Sequence, residues 1–138
     1  MSTSDRILFV CLHGAAKSVL AAADFSRMAA ERGLAVTADA AGTEPDPEIA
    51  PVVLRTLRAE GLDLTGQLPR KVTPHDVARA ARVVAFGCDL GDAASATTRV
   101  EQWTDVPAVS EDLPAARAAI RRHLARLLDE IAPMGGQP

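Results

Sequence analysis

Cys11, Lys17 and Ser18 mark the two ends of a small-residue loop, Cys11-Leu12-His13-Gly14-Ala15-Ala16-Lys17-Ser18. A short apolar run, residues 7–10, leads into it, and an Ala-rich amphipathic stretch leaves it. Strand, loop and helix start in that order aim several backbone N–H groups and a helix N-terminus at one point. A thiol at that point has its thiolate stabilised by the same dipoles and gains nucleophilicity at neutral pH. The cradle also suits a tetrahedral oxyanion held in front of the sulfur. The pattern predicts that Cys11 attacks an oxyanion such as a phosphoryl group or arsenate. The plainer alternative is a small buried hydrophobe that ends a core strand, a common fate of free cysteine. It leaves the basic and hydroxyl ending of the loop unexplained.

The elements that must position this loop follow from pattern and punctuation. Residues 7–10 read as a strand covered on both faces. Residues 18–32 form the first helix, stopped by Gly33. Residues 35–41 form a second strand, and Gly42-Thr43-Glu44-Pro45-Asp46-Pro47 is a turn-rich loop. A second helix is expected over 48–60, then an irregular connection over 62–71. Thr73-Pro74-His75-Asp76 opens a short third helix, with Thr73 as N-cap and Pro74 in its first position. Residues 82–86 and 98–103 are the third and fourth strands. The last helix runs over 113–131, with Asp112 as cap, Ala116, Ile120, Leu124, Leu127, Leu128 and Ile131 buried, and Arg117, Arg121, Arg122 and Arg126 facing solvent. His75 and His123 read as surface helix residues, and residues 134–138 as a frayed tail. Strands alternating with helices imply a parallel, doubly wound α/β sandwich, with its ligand site beyond the carboxyl ends of the strands. Residues 11–18, residues 87–92 and Asp105 all fall at that end.

At 138 residues the chain is one domain, 1–138, and its 48% hydrophobic and 24% charged content is ordinary for a globular protein. A net charge of −3 gives no reason to expect nucleic acid or an anionic membrane as partner. Two cysteines do not make a disulfide scaffold, and the polar start, Met1 to Asp5, reads as no targeting segment. The expectation is a reducing cytoplasm and a monomer or weak dimer. Three scattered histidines and two distant cysteines make no recognisable metal ligand set, so no metal is expected.

Cys11-x5-Lys17-Ser18 resembles the Cys-x5-Arg-Ser signature of low-molecular-weight protein tyrosine phosphatases and thioredoxin- or mycothiol-coupled arsenate reductases. The likeness continues through Ala40-Ala41-Gly42-Thr43-Glu44-Pro45, Gly61-Leu62-Asp63-Leu64-Thr65-Gly66, Thr73-Pro74-x-Asp76-Val77 and Val83-Val84-Ala85-Phe86-Gly87-Cys88, and so covers nearly the whole chain. The arsenate reductase branch is the nearer, through Cys11-x-His13 and Gly87-Cys88. The resemblance implies a three-layer sandwich around a four-stranded parallel sheet of order 2-1-3-4. It also implies Cys11 as nucleophile, the backbone of Leu12, His13, Gly14, Ala15, Ala16, Lys17 and Ser18 as oxyanion cradle, Lys17 in the place of the signature arginine, and Asp105 as the acid that protonates the leaving group. No resident cofactor is implied; an external reductant, thioredoxin or a low-molecular-weight thiol, goes with the reductase branch.

Three departures stand out. Lys17 replaces an arginine whose guanidinium grips two oxygens at once, whereas an ammonium is a point charge. Gly14 replaces an asparagine whose amide braces the loop. The acid loop reads Trp103-Thr104-Asp105-Val106-Pro107, with Glu111 and Asp112 as alternatives to Asp105. His13 is expected to point outward and shape the rim. Cys88 is either a thiol that resolves an oxidised Cys11 or a buried, inert residue. With no Tyr, three Phe and one Trp, the chain favours a small inorganic oxyanion over phosphotyrosine, with Trp103 available as one wall. The competing reading is a degenerate relative that binds anions without turning them over.

Overall fold

A computed structural model of the chain describes residues 6–131. The expectations for Met1 to Asp5 and for residues 134–138 lie outside them. Four strands, β1 (Arg6–Cys11), β2 (Thr37–Gly42), β3 (Arg82–Ala85) and β4 (Val100–Gln102), form one sheet of order β2-β1-β3-β4. Every pairing is parallel, with Val10 opposite Ala41 on one side and Ala85 on the other. The order is the one the resemblance implies. Among the described residues, helices α1 (Lys17–Glu31), α2 (Pro51–Ala59), α3 (Pro74–Ala78) and α4 (Leu113–Ile131) complete the fold, with a single 3-10 turn at Gly91–Ala93. No helix among the described residues is long and apolar enough to cross a membrane.

β1 is central, and Ile7 to Val10 are buried. Because side chains alternate along a strand, Ile7, Phe9 and Cys11 join Leu20, Phe25, Trp103 and Ile120 on one side of the sheet. Leu8 and Val10 join Val72, Val77, Val83 and Leu90 on the other. Cys88 packs against this second group, so the two cysteines belong to opposite faces.

Helix α2 starts three residues later than the pattern suggested. Pro51 disfavours helical backbone in the residue before it, and Ala50 is extended (φ −55°, ψ 129°). The expected cap of α3 forms in full: Asp76 N–H donates to Thr73 Oγ1 at 3.1 Å, and Thr73 N–H to Asp76 Oδ2 at 2.9 Å. Asp112 Oδ1 accepts from Ala115 N–H at the start of α4, also as expected.

The solvent-facing arginine row needs correction. Arg117 is 7% exposed and grips the fully buried Asp24 of α1 with two parallel bonds, Nε–Oδ2 at 3.0 Å and Nη2–Oδ1 at 2.8 Å. It also holds Glu60 at the end of α2, and Arg27 and Arg121 complete the ring around Asp24. Position 117 borders the buried stripe of α4, and only a neighbouring carboxylate makes burial of its charge tolerable. Sequence spacing does not reveal that partner. Of the row, Arg122 faces solvent; Arg126 is exposed and contacts Glu101 and His123.

The Arg117 hydrogen bonds hold the Glu60 carboxyl down to about 2. Its contribution to stability is therefore complete above the ordinary value near 4.5 and is lost as pH falls toward 2. Urea unfolding should show Arg117→Met destabilised by about 3 kcal/mol at neutral pH, the low end for a broken buried pair because Arg27 and Arg121 remain on Asp24. Glu60→Gln should flatten the loss of stability between pH 4.5 and 2. An Arg117→Met protein as stable as the native one would mean that the network contributes nothing to joining α1, α2 and α4.

Candidate active site

At the carboxyl end of β1 the chain turns through residues 12–16 before α1 begins. The connection between β2 and α2 lies along the outside of this turn and takes up its carbonyls. Thr43 N–H donates to Cys11 O at 3.2 Å, Glu44 to Leu12 O at 2.7 Å, Asp46 to His13 O at 3.0 Å and Ala50 to Ala15 O at 3.0 Å. A trans peptide points its C=O and the following N–H in opposite directions. Fixing the carbonyls of residues 11, 12, 13 and 15 outward therefore turns the N–H groups of Leu12, His13, Gly14 and Ala16 the other way. Among the described residues, no backbone N–H from Leu12 to Ala16 donates to another backbone group. The N–H groups of Lys17 and Ser18 are free as well, as the first turn of any helix requires.

The two chains of the turn touch at a pair of glycines. Gly14 has φ +60°, and a β-carbon on Gly42 would lie 2.6 Å from Gly14 N. No larger residue fits at 42 without displacing the loop. The bracing that a loop asparagine supplies elsewhere in the resemblance comes here from the backbone of residues 43–50.

Cys11 is 7% exposed, and its Sγ lies 3.1 Å from the Oγ of the fully buried Ser18. That hydroxyl donates to the sulfur once the thiol ionises. Above them is a cavity of about 360 Å³, lined by Cys11, Leu12, His13, Ala15, Ala16 and Lys17 from the loop and α1 start. Asp46, Ala50 and Val52 close one side, and Phe86 with Ala108, Val109 and Ser110 the other. Gly14 and Ser18, also expected in the cradle, stand behind it, on Gly42 and beneath Cys11. Lys17 lines the cavity at the start of α1, and its Nζ donates to the carbonyl of the buried Val106 at 2.9 Å. The ammonium thus ties the start of α1 to the segment after β4.

Asp105 is not among the residues lining this cavity. Its carboxylate is 60% exposed and accepts from His123 Nε2 at 2.7 Å. That hydrogen bond is the main reason its acidity is raised, its carboxyl lying below the usual range. Arg126 Nη2 lies 2.7 Å from His123 Nδ1; since arginine only donates, Nδ1 accepts and Nε2 carries the proton. His123 is half-buried rather than fully on the surface. Its ring stacks on Trp103, with centroids 4.5 Å apart. Glu111 and Asp112 do not line the cavity either. Trp103 is buried against Phe9, Phe86 and His123, so the aromatic wall is Phe86. His13 lies at the rim as expected, but paired: its Nδ1 is 3.1 Å from Asp46 Oδ1. Asp46 went unmarked in the sequence because Pro45 and Pro47 make it look like a turn residue.

Cys88 lies on the other side of Leu12 and Phe86, in a separate recess of about 660 Å³ that those two residues share with the first. Its thiol is 3.6 Å from Val10 O, and burial pushes its acidity down, its pKa rising. The Gln102 side chain clasps its segment, accepting from Gly87 N–H at 2.9 Å and donating to Cys88 O at 3.0 Å. Both cysteines are free thiols.

Comparisons with known proteins converge on one family. The family model for "Low molecular weight phosphotyrosine protein phosphatase" matches residues 6–128. A "Putative arsenate reductase" of Halobacterium salinarum is 27% identical over 130 residues, spanning 91% of this chain and 92% of its own. YfkJ of Bacillus subtilis superposes with a TM-score of 0.80 at 24% identity, over 94% of this chain and 96% of that one, a likeness of fold. The thioredoxin-dependent arsenate reductase of Corynebacterium glutamicum has a TM-score of 0.70 at 26% identity, over 92% of this chain and 63% of its own. From β1 into α4, the chain belongs to the low molecular weight phosphotyrosine protein phosphatase family.

Proposed function

We propose that the chain is a cysteine-dependent oxyanion enzyme in which Cys11 attacks the central atom of arsenate or of a phosphate monoester. The observation that carries this reading is the outward fixing of four loop carbonyls, which leaves the opposed N–H groups to meet the oxygens of a tetrahedral anion in front of Cys11. Ser18 supports the thiolate and Lys17 supplies positive charge. Six of the thirteen lining residues are Ala or Val and Phe86 is the one phenyl ring, which favours a small substrate over an aryl side chain.

Reductive turnover needs a second thiol. A thiolate attacking the Cys11 sulfur forms the disulfide while the electron pair of the sulfur–arsenic bond stays on arsenic, so two thiols are oxidised as As(V) becomes As(III). Cys88 is the candidate within the chain, once Gln102 releases its segment. A thioredoxin, which the Corynebacterium relative depends on by name, or a low-molecular-weight thiol is the candidate outside it. Two free cysteines suit a reducing cytoplasm.

Iodoacetamide mapping tests the nucleophile. Burial and the neighbouring Cys11 hold the Cys88 thiol protonated to higher pH, so near neutrality Cys11 should alkylate first and Cys88 should catch up only in alkali. Phosphate should protect Cys11 alone. Faster labelling of Cys88, or no protection by phosphate, would remove Cys11 from the role, as would the absence of any Cys11-dependent turnover of an aryl phosphate or of arsenate with thiol.

Lys17 sets the second test. Charge spreads over the equatorial oxygens in the transition state, and an ammonium already bonded to Val106 O follows fewer of them than a guanidinium fork. Losing one such bond costs on the order of 2–4 kcal/mol, or roughly 30- to 1,000-fold in rate. Lys17→Arg should therefore accelerate single turnover far more than it tightens phosphate binding. An unchanged or slower rate in a folded Lys17→Arg protein would show the loop to be built around lysine.

A further inference from the structure

The cavity over Cys11 contains one side-chain pair that the reading above leaves unused. His13 Nδ1 and Asp46 Oδ1 are 3.1 Å apart, and both residues line the cavity with Cys11. The carboxylate faces the Nδ1 edge of the imidazole, and Nε2 is the opposite end of the ring. The backbone repeats the link, Asp46 N–H donating to His13 O at 3.0 Å. The two residues come from different connections, after β1 and after β2, and are held together at two points.

Both residues line the cavity that holds Cys11, and the proposed reaction there needs a proton. Breaking the P–O bond of a monoester puts an electron pair on the leaving oxygen, and an alkoxide or phenoxide departs slowly unless protonated. The segment after β4 offers the cavity only Ala108, Val109 and Ser110, while Asp105 is engaged by His123 outside it. Asp46 is the one carboxylate and His13 the one imidazole among the lining residues. The other titratable groups there are Cys11 at the end of β1 and Lys17 at the start of α1; α2 and the segment after β4 contribute none.

We infer that His13 is the acid that protonates the leaving group and that Asp46 is its positioning residue, an inference that rests on Cys11 as nucleophile. The Cys11 thiolate forms the P–S bond, the P–O pair moves to the leaving oxygen, and the Nε2 proton passes to that oxygen. Asp46 stands against the Nδ1 edge of the ring and holds its orientation. In the second half, water cleaves the P–S bond and gives its proton to the neutral imidazole, which restores the starting state. With arsenate the leaving group is hydroxide, released as water.

Leaving groups of different basicity separate this role from a structural one. A 4-nitrophenolate departs without a proton and a phenolate does not, so single-turnover release from 4-nitrophenyl phosphate and phenyl phosphate isolates the acid. His13→Ala should lose roughly 100-fold on phenyl phosphate and less than about threefold on 4-nitrophenyl phosphate. Added imidazole should restore the first rate, and Asp46→Asn should show the same pattern more weakly. Equal losses on both esters, no rescue by imidazole, or the pattern appearing in Asp105→Asn instead would overturn the inference and leave Cys11 standing. No Cys11-dependent release of 4-nitrophenol by the native protein would overturn the nucleophile reading and this inference with it.

Discussion

The planarity of the peptide bond is the constraint on which this site depends. Four carbonyls of the loop after β1 are bonded outward to the backbone of residues 43–50, which turns the N–H groups on the same peptides the other way. No side chain performs this step. What the sequence must supply is close approach, and it does so with Gly14 and Gly42, where any β-carbon would collide. The parallel β1–β2 register then brings Cys11 opposite Gly42, so sheet pairing and loop geometry are one structure. Donors fixed this way are preorganised, and for the oxyanion we propose they need not reorient when charge develops.

The rest of the molecule holds the two rims of the cavity relative to that cradle. On one side, α1 is fixed to α2 and α4 by the charged ring of Asp24, Arg117 and Glu60. On the other, Trp103 anchors the segment after β4 in the core between Phe9, Phe86 and His123. Lys17 bonds to Val106 O in that segment and joins the two rims. The arginine that this lysine replaces in the family signature would be drawn to the anion itself. Lys17 instead has a partner of its own, and the choice between Val106 and a bound oxyanion is set within this one side chain.

Much of this was legible in the sequence where a feature is local. Cys11 and Ser18 were marked by their spacing, the cap of α3 by Thr73 and Asp76, and the order of the sheet by the resemblance. What could not be read are pairings between distant segments. Arg117 looked like one more solvated arginine because nothing near it in the chain announces Asp24, which is far off in α1. His123 looked exposed because its partners, Trp103 and Asp105, approach from another element. Asp46 reads as a turn residue and His13 as an outward rim residue, because each is ordinary until the other stands beside it. The resemblance points to Asp105, and only the fold shows which residues of that segment, Ala108 to Ser110, reach the cavity. In each case local rules were followed and a long-range contact decided the side chain's surroundings.

Amide NMR reads the backbone N–H groups of residues 12–18, the proposed anion site, directly. On titration with phosphate the largest amide proton shifts should fall on Leu12 to Ser18 and move downfield together along one binding curve. Shifts confined to the recess around Lys71, Cys88 and Asp89, with the loop amides unmoved, would contradict it.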